Sequence, residues 1–300
     1  ATDRPTPQTS IISYDVDRER AYETVTSHMS RMSRTYDVIV IGVGTMGAAA
    51  CWRLAQRGVR VLGLEQFDIP NTRASHHGFS RMFRLAYFEH ADYVALLRRA
   101  FDLWQSIGEE CGHTVLNVTG GLYLGRPDSE LVTGSIDAAR KYDLPHEVLD
   151  RQTVADRFPQ FDVPDDTIAF FEKKAGFVVP ERAISAFAEQ AMRHGTELHG
   201  HEKVTSWSST SAGVEVKTNK ATYHADRLVI AGGPWSNQLL HDLDVPLTVT
   251  RQTLSWFWPS DPQPLAMGRF PCWALDMSPR DAYRGVFYGF PMLGPDVPNP

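Results

Sequence analysis

Apolar positions along the chain recur with more than one period, and each change of period marks an element. Positions 36–41, Tyr36-Asp37-Val38-Ile39-Val40-Ile41, form a β-branched run suited to a parallel strand buried on both faces. Glycines at 42, 44 and 47 interrupt it, small residues from Ala48 read as a helix, Gly58 ends that helix, and 59–64 returns as a second strand. Between 92 and 110, Tyr93, Leu96, Leu97, Ala100, Phe101, Trp104 and Ile107 recur at helical spacing, which predicts an amphipathic helix with its aromatics in the core. A strand over 119–125, a helix over 128–142 and a further helix with Asp150 as N-cap come next. The stretch 180–194 carries Ile184, Phe187, Ala188 and Met192 on one helical face. Positions 204–216 and 221–224 alternate as antiparallel strands around a turn at 218–220, and 227–231 reads as another buried strand, ended by Gly232-Gly233-Pro234-Trp235. From Pro246 the chain is aromatic and β-like, at 253–258 and again at 285–291.

The unit at 36–65 has a specific use. Gly42 permits a tight turn, Gly44 lets a phosphate approach the backbone, and Gly47 lets the helix pack close to the strand. The first helical turn then offers free N–H groups and the positive end of its dipole to an anion. Glu65 stands at the end of the second strand, where its carboxylate can accept hydrogen bonds from ribose hydroxyls and would repel a 2′-phosphate. These features point to an ADP-bearing cofactor other than NADP, and on their own leave FAD and NAD open. The second strand-to-glycine junction, at 231–235, reads as the cofactor domain resuming after an excursion.

Composition narrows the partners. The 300 residues, 42% of them hydrophobic, are enough for two domains. A net charge of −6 without a basic block argues against nucleic acid, and Arg98-Arg99 reads as a solvated helix face. The cysteines Cys51, Cys111 and Cys272 have no metal-ligand spacing and cannot all pair, so no metal is expected and a reducing, cytoplasmic setting is. No apolar stretch is long enough to cross a bilayer. The polar segment 1–34 reads as a loosely attached extension, and the stop at Pro298-Asn299-Pro300, just after a buried-type strand, reads as the end of a fragment.

One cluster bears on the chemistry. Ser75-His76-His77-Gly78-Phe79-Ser80-Arg81-Met82-Phe83-Arg84 gathers two histidines and two arginines after a long loop at 67–75. Adjacent histidines point apart, which disfavours zinc, and each could be an ordinary structural histidine. Arg81 and Arg84 would share a face if the segment were helical, giving a forked donor for a carboxylate or phosphate; a salt-bridged surface is the alternative.

Taken in order, the glycine turn with Glu65, the Ser-His-His-Gly-x-x-Arg-x-x-Arg run, Ala231-Gly232-Gly233-Pro234-Trp235 and Tyr288-Gly289-Phe290-Pro291 resemble the monomeric sarcosine oxidase and N-methyl-L-tryptophan oxidase family of flavoproteins, over residues 36 to about 294. The resemblance implies FAD as cofactor. It implies an α/β fold: a Rossmann-like FAD-binding domain with a parallel sheet and helices, split over 35–118 and 176–245, plus an inserted α+β substrate domain with a mainly antiparallel sheet, over 119–175 and 246–300. By the same resemblance Gly42, Gly44, Gly47 and Glu65 bind the ADP half, and Ser75, His76, Gly232, Gly233 and Trp235 join the cofactor site. His77 and Arg81 lie beside the flavin ring, Arg84 holds the substrate carboxylate, and Tyr288 lines the substrate cavity, with Met82 and Trp256 as further candidates. The implied reaction oxidises the secondary amine of an N-methyl amino acid to an imine, with dioxygen leaving as hydrogen peroxide. Small-molecule amine and O2 are the implied partners, and a monomer the implied state. The family's flavin-linking cysteine has no counterpart after Cys272, and its lysines have none after Lys220. A D-amino-acid or glycine oxidase, and a non-catalytic flavin-binding protein, are the alternatives.

Overall fold

A computed structural model describes residues 36–240, 245–278 and 285–293; the expected extension at 1–34 and the chain's end at 298–300 lie outside them. The apolar run at the start forms β1 (Tyr36–Ile41), followed by α1 (Thr45–Ala55), β2 (Val61–Leu64), β3 (Arg81–Phe83) and α2 (Tyr93–Cys111). Then come β4 (Leu116–Val118), β5 (Gly121–Gly125), α3 (Glu130–Lys141), β6 (Glu147–Leu149), α4 (Arg151–Arg157), β7 (Ile168–Glu172), β8 (Gly176–Val178) and α5 (Pro180–Arg193). The last elements are β9 (Glu197–His199), β10 (Val204–Thr210), β11 (Gly213–Thr218), β12 (Thr222–Ile230), the single turn α6 (Ser236–Leu239), β13 (Cys272–Asp276) and β14 (Val286–Gly289).

Three sheets organise these elements. The six-stranded sheet runs β10-β11-β12-β1-β2-β9, with β1 parallel to both β2 and β12 and β2 parallel to β9. Strand period two divides its core: Val38 and Val40 pack with Ala48, Cys51 and Trp52, whereas Ile39 and Ile41 pack with Leu62, Leu64, Ala225 and Leu239. On the helical side Phe187 of α5 stacks on Trp52 of α1, ring centroids 5.4 Å apart, and lies 5.5 Å from Trp104 of α2. The five-stranded sheet β14-β13-β5-β7-β6 is antiparallel except for the β13–β5 pair. A small sheet, β3-β8-β4, carries the first arginine. The α/β sheet with helices and the mostly antiparallel second sheet are the fold class expected from the sequence.

Several elements differ from expectation. The first helix begins at Thr45, so Gly47 lies in its first turn and Gly44 is its N-cap. The second strand begins at Val61, because Asp37 takes both the Arg60 N–H, at 2.9 Å, and its guanidinium. The alternation over 204–216 is a hairpin, β10 and β11, and the strands expected at 221–224 and 227–231 are one strand, β12. That strand changes partner midway, antiparallel to β11 over its first half and parallel to β1 over its second, so its burial pattern changes and reads as two segments. The aromatic run at 253–258 forms no strand; Trp256, Phe257 and Trp258 are exposed. The expected cap holds, Asp150 accepting the Thr153 N–H at 2.8 Å, and the helix expected from 128 starts at Glu130 with Ser129 as its cap.

Candidate functional site

The glycine turn is shaped by close backbone approach. Gly42 has φ +88°, and a Cβ there would lie 2.4 Å from the Ala231 carbonyl oxygen; a Cβ at Gly47 would lie 1.8 Å from the Gly42 oxygen. Gly44 differs. The nearest atom to a Cβ there is the His76 Nδ1, at 3.5 Å, so the space beside it belongs to the cleft. No side chain caps α1, which leaves its N-terminal amides directed at that space. Glu65 is buried at the floor, accepting the Val43 N–H at 2.9 Å on one oxygen and the Phe67 N–H at 3.1 Å on the other. It holds the turn as well as facing the cleft, and each oxygen keeps a lone pair for a ligand hydroxyl.

The cleft measures about 460 Å³ and brings together Gly42, Gly44, Glu65, Ser75, His76, Gly232, Gly233 and Trp235. Gly47 stands behind it as packing. A neighbouring cavity of about 300 Å³ shares Thr45, Ser75 and His76 with the first and continues to Arg81 and Met82. Volumes of this size suit a large organic ligand. His76, at the junction, is buried, and its Nε2 has no hydrogen-bond partner among the described residues. Burial lowers its pKa below the usual histidine value against the pull of Glu181 and of a bond to the Asn71 backbone, favouring a neutral ring. An unpartnered polar atom on a ligand-sized cavity fits a cofactor that supplies the missing bond.

The run 75–84 is not helical, so the condition on which Arg81 and Arg84 would share a face is not met. Arg81 opens β3, paired with Val178 of β8, and Arg84 follows the strand's end. The Arg81 guanidinium donates to the backbone oxygens of Ser75, His77 and Ser80 at 2.6–2.7 Å, drawing the loop around itself. Glu181, in the first turn of α5, accepts the Gly78 N–H at 3.0 Å and lies 3.4 Å from the His77 Nδ1. His77 is thus tied to a carboxylate and lines neither cavity.

Arg84 has its own surroundings. Its Nη2 donates to both oxygens of Glu89 at 2.7–2.8 Å, and its guanidinium carbon lies 4.4 Å from the Tyr87 ring and 4.8 Å from the Phe88 ring. Its Nε is buried with no partner among the described residues. Behind it, the Glu172 carboxylate accepts the N–H groups of Leu85 and Ala86 and the hydroxyl of Tyr123, the last at 2.6 Å. Burial pushes the Glu172 carboxyl above the usual carboxylate range, opposed by these bonds and the Arg84 charge. Tyr288 sits half-exposed on β14, 5.9 Å from the Phe290 ring, on the wall of neither cavity.

Glu89, Glu172 and Glu181 are absent from the sequence-based site. A faint signal existed for one of them: Glu172 closes the apolar run Ile168-Ala169-Phe170-Phe171, where an unpaired charge has no reason to stand. Cys51 and Cys272 are buried thiols whose pKa burial pushes up to about 12, so neither is a nucleophile at neutral pH. Among the described residues no cluster could hold a metal ion, and no helix is long and apolar enough to cross a membrane.

Residues 37–294 match the family described as FAD dependent oxidoreductase. Monomeric sarcosine oxidase of Streptomyces avermitilis is 45% identical over 268 residues, 89% of this chain and 69% of that protein. N-methyl-L-tryptophan oxidase of Yersinia pestis is 34% identical over 256 residues, 85% of this chain and 67% of the other. The solved structure of NikD, an unusual amino acid oxidase essential for nikkomycin biosynthesis, aligns with TM-score 0.72 and 27% identity, covering 86% of this chain and 66% of NikD. The chain spans about two thirds of the length of the relatives it matches.

Proposed function

This chain belongs to the FAD dependent oxidoreductase family, and we propose that it oxidises the secondary amine of an N-methyl amino acid to an imine while dioxygen becomes hydrogen peroxide. The observation that carries the reading is the pair of neighbouring cavities, one at the glycine turn and one at Arg81, which share Thr45, Ser75 and His76, whose Nε2 has no partner among the described residues; Arg84 follows the strand that Arg81 opens. FAD, when bound, supplies a two-electron acceptor for the amine C–H bond; water then splits the imine into formaldehyde and the free amine.

The chain's residues bind and orient. Gly44 and the α1 amides receive the pyrophosphate, Glu65 the ribose hydroxyls, and His76 donates or accepts one bond where the two cavities join. Ser75, Gly232, Gly233 and Trp235 wall the cofactor. Arg81 brings a fixed positive charge to the ring side of the cleft, where His77 is held by Glu181, and so favours a reduced, anionic cofactor. Arg84 binds the substrate carboxylate; Glu89, which now takes its Nη2, must share the fork or turn aside. Tyr288 belongs to the substrate side. Residues 35–118 with 176–245 form the FAD-binding domain and 119–175 with 246–300 the substrate domain of a soluble, cytoplasmic monomer.

Aerobic turnover tests the proposal. FAD-loaded protein given N-methylglycine or N-methyltryptophan should release formaldehyde and peroxide in equal amounts, and a primary amino acid should give far less. Peroxide from primary D-amino acids alone would move the assignment to the other oxidase class.

A further inference from the structure

We propose that Glu172 and Tyr123 are positioning residues for Arg84, fixing the backbone from which the carboxylate-binding guanidinium projects. The inference rests on the reading that Arg84 holds the substrate carboxylate.

The small sheet ends at Phe83, whose partner is Gly176, so Arg84 is the first residue beyond the ladder. The chain is caught again at once: the N–H groups of Leu85 and Ala86 both go to the Glu172 carboxylate, at 3.2–3.3 Å. Glu172 is 2% exposed and Tyr123 is fully buried. A carboxylate this deep is costly unless every bond it can accept is supplied. Here three donors converge on it, the third being the Tyr123 hydroxyl at 2.6 Å. Tyr123 is itself locked in place, stacked on Phe170 with ring centroids 5.7 Å apart.

The division of labour around Arg84 follows. Tyr87, Phe88 and Glu89 hold the tip of the side chain, on a segment that a substrate carboxylate would disturb by competing with Glu89. Glu172, from β7, holds its root through the Leu85 and Ala86 amides, whether or not Glu89 lets go of the tip. Weakening the root should cost the protein its grip on a carboxylate without touching the cofactor cleft, to which neither Glu172 nor Tyr123 contributes a wall.

The test compares Tyr123→Phe, Glu172→Gln and Arg84→Ala in FAD-loaded protein, reading the Kd of acetate from the change in flavin absorbance and the KM and kcat for N-methylglycine. In Tyr123→Phe the acetate Kd and the KM should both rise about tenfold, with kcat and flavin content unchanged, as expected for one lost bond to a charged group. Glu172→Gln should act in the same direction and more strongly; if it does not fold, Tyr123→Phe decides. Unaltered acetate affinity in Tyr123→Phe, or a fall in kcat and flavin content with KM unchanged, overturns the proposal. Arg84→Ala separates the two readings: if acetate affinity survives there, Arg84 is not the carboxylate site and the inference falls with it. If Arg84→Ala loses acetate and Tyr123→Phe does not, only the positioning role is wrong.

Discussion

The glycine turn at 42–47 and the arginine loop at 75–84 are held in different ways. At the turn the limiting contacts are backbone to backbone: the Gly42 oxygen at Gly47 in the first turn of α1, and the Ala231 oxygen, just past β12, at Gly42, just past β1. At the loop they are carboxylates brought from afar, Glu181 from α5 onto Gly78 and His77, and Glu172 from β7 onto Leu85 and Ala86. The first kind of site is written in the spacing of small residues. The second is assembled by the tertiary fold, and of its charged partners only Glu172, at the end of an apolar run, leaves a local trace. At Gly42 and Gly47 a turn built from backbone has no room for an added atom, whereas a loop tied by side chains should loosen by degrees.

Variants can break that contrast, and the largest effect belongs to the turn. Gly47→Val places a branched side chain where a Cβ alone would meet the Gly42 oxygen at 1.8 Å, so it should cost about 3 kcal/mol or more, seen in thermal unfolding. Gly44→Ala is the control: with 3.5 Å to the nearest atom it should change the stability of the flavin-free protein by less than about 0.5 kcal/mol. Its methyl group should nevertheless weaken FAD binding about tenfold or more by entering pyrophosphate space, measured by flavin fluorescence titration. Equal effects of the two variants on stability would remove the distinction.

At the loop, Arg84→Ala should lower kcat/KM for N-methyl amino acids about a hundredfold while leaving flavin bound. Glu181→Gln should cost about 1 kcal/mol of stability, because the weaker acceptor still faces Gly78. The smallest effect is on pH dependence. Burial holds the His76 pKa below its unfolded value of 6.5, so the unfolded chain binds more protons in acid. Stability from this group is therefore complete above 6.5 and declines as pH falls through it toward the folded value. His76→Gln should flatten that part of the profile in flavin-free protein.

What the sequence made legible follows the same divide. The strand at 36–41, the three glycines and Glu65 lie close in sequence and obey simple steric rules, so their structure could be read directly. The helix at 93–111 was plain from its spacing, but its core face was only partly so: Tyr93 and Leu96 are exposed, while Val94 and Ile107 are buried. Arg81 and Arg84 were visible as residue types, but their geometry could be read only conditionally, because three residues of β3 are recruited into a sheet by Gly176–Val178, almost a hundred positions away, and Arg84 pairs with Glu89 as the salt-bridged alternative had it. Short strands such as β4, β6, β8 and β9 have too few residues to show a period. Glu65 reads as a ribose ligand, whereas its hold on the Val43 and Phe67 amides is a tertiary contact that the sequence does not show.

The central claim is that this fold carries FAD next to a site that delivers an amine to it. Anaerobic mixing of the FAD-loaded protein with N-methylglycine, followed by flavin absorbance, tests it most directly. The account predicts that the yellow colour bleaches with saturable dependence on amine concentration, and that Arg84→Ala bleaches only at much higher concentration. A flavin that stays yellow with every N-methyl amino acid, in protein that binds FAD fully, would contradict it.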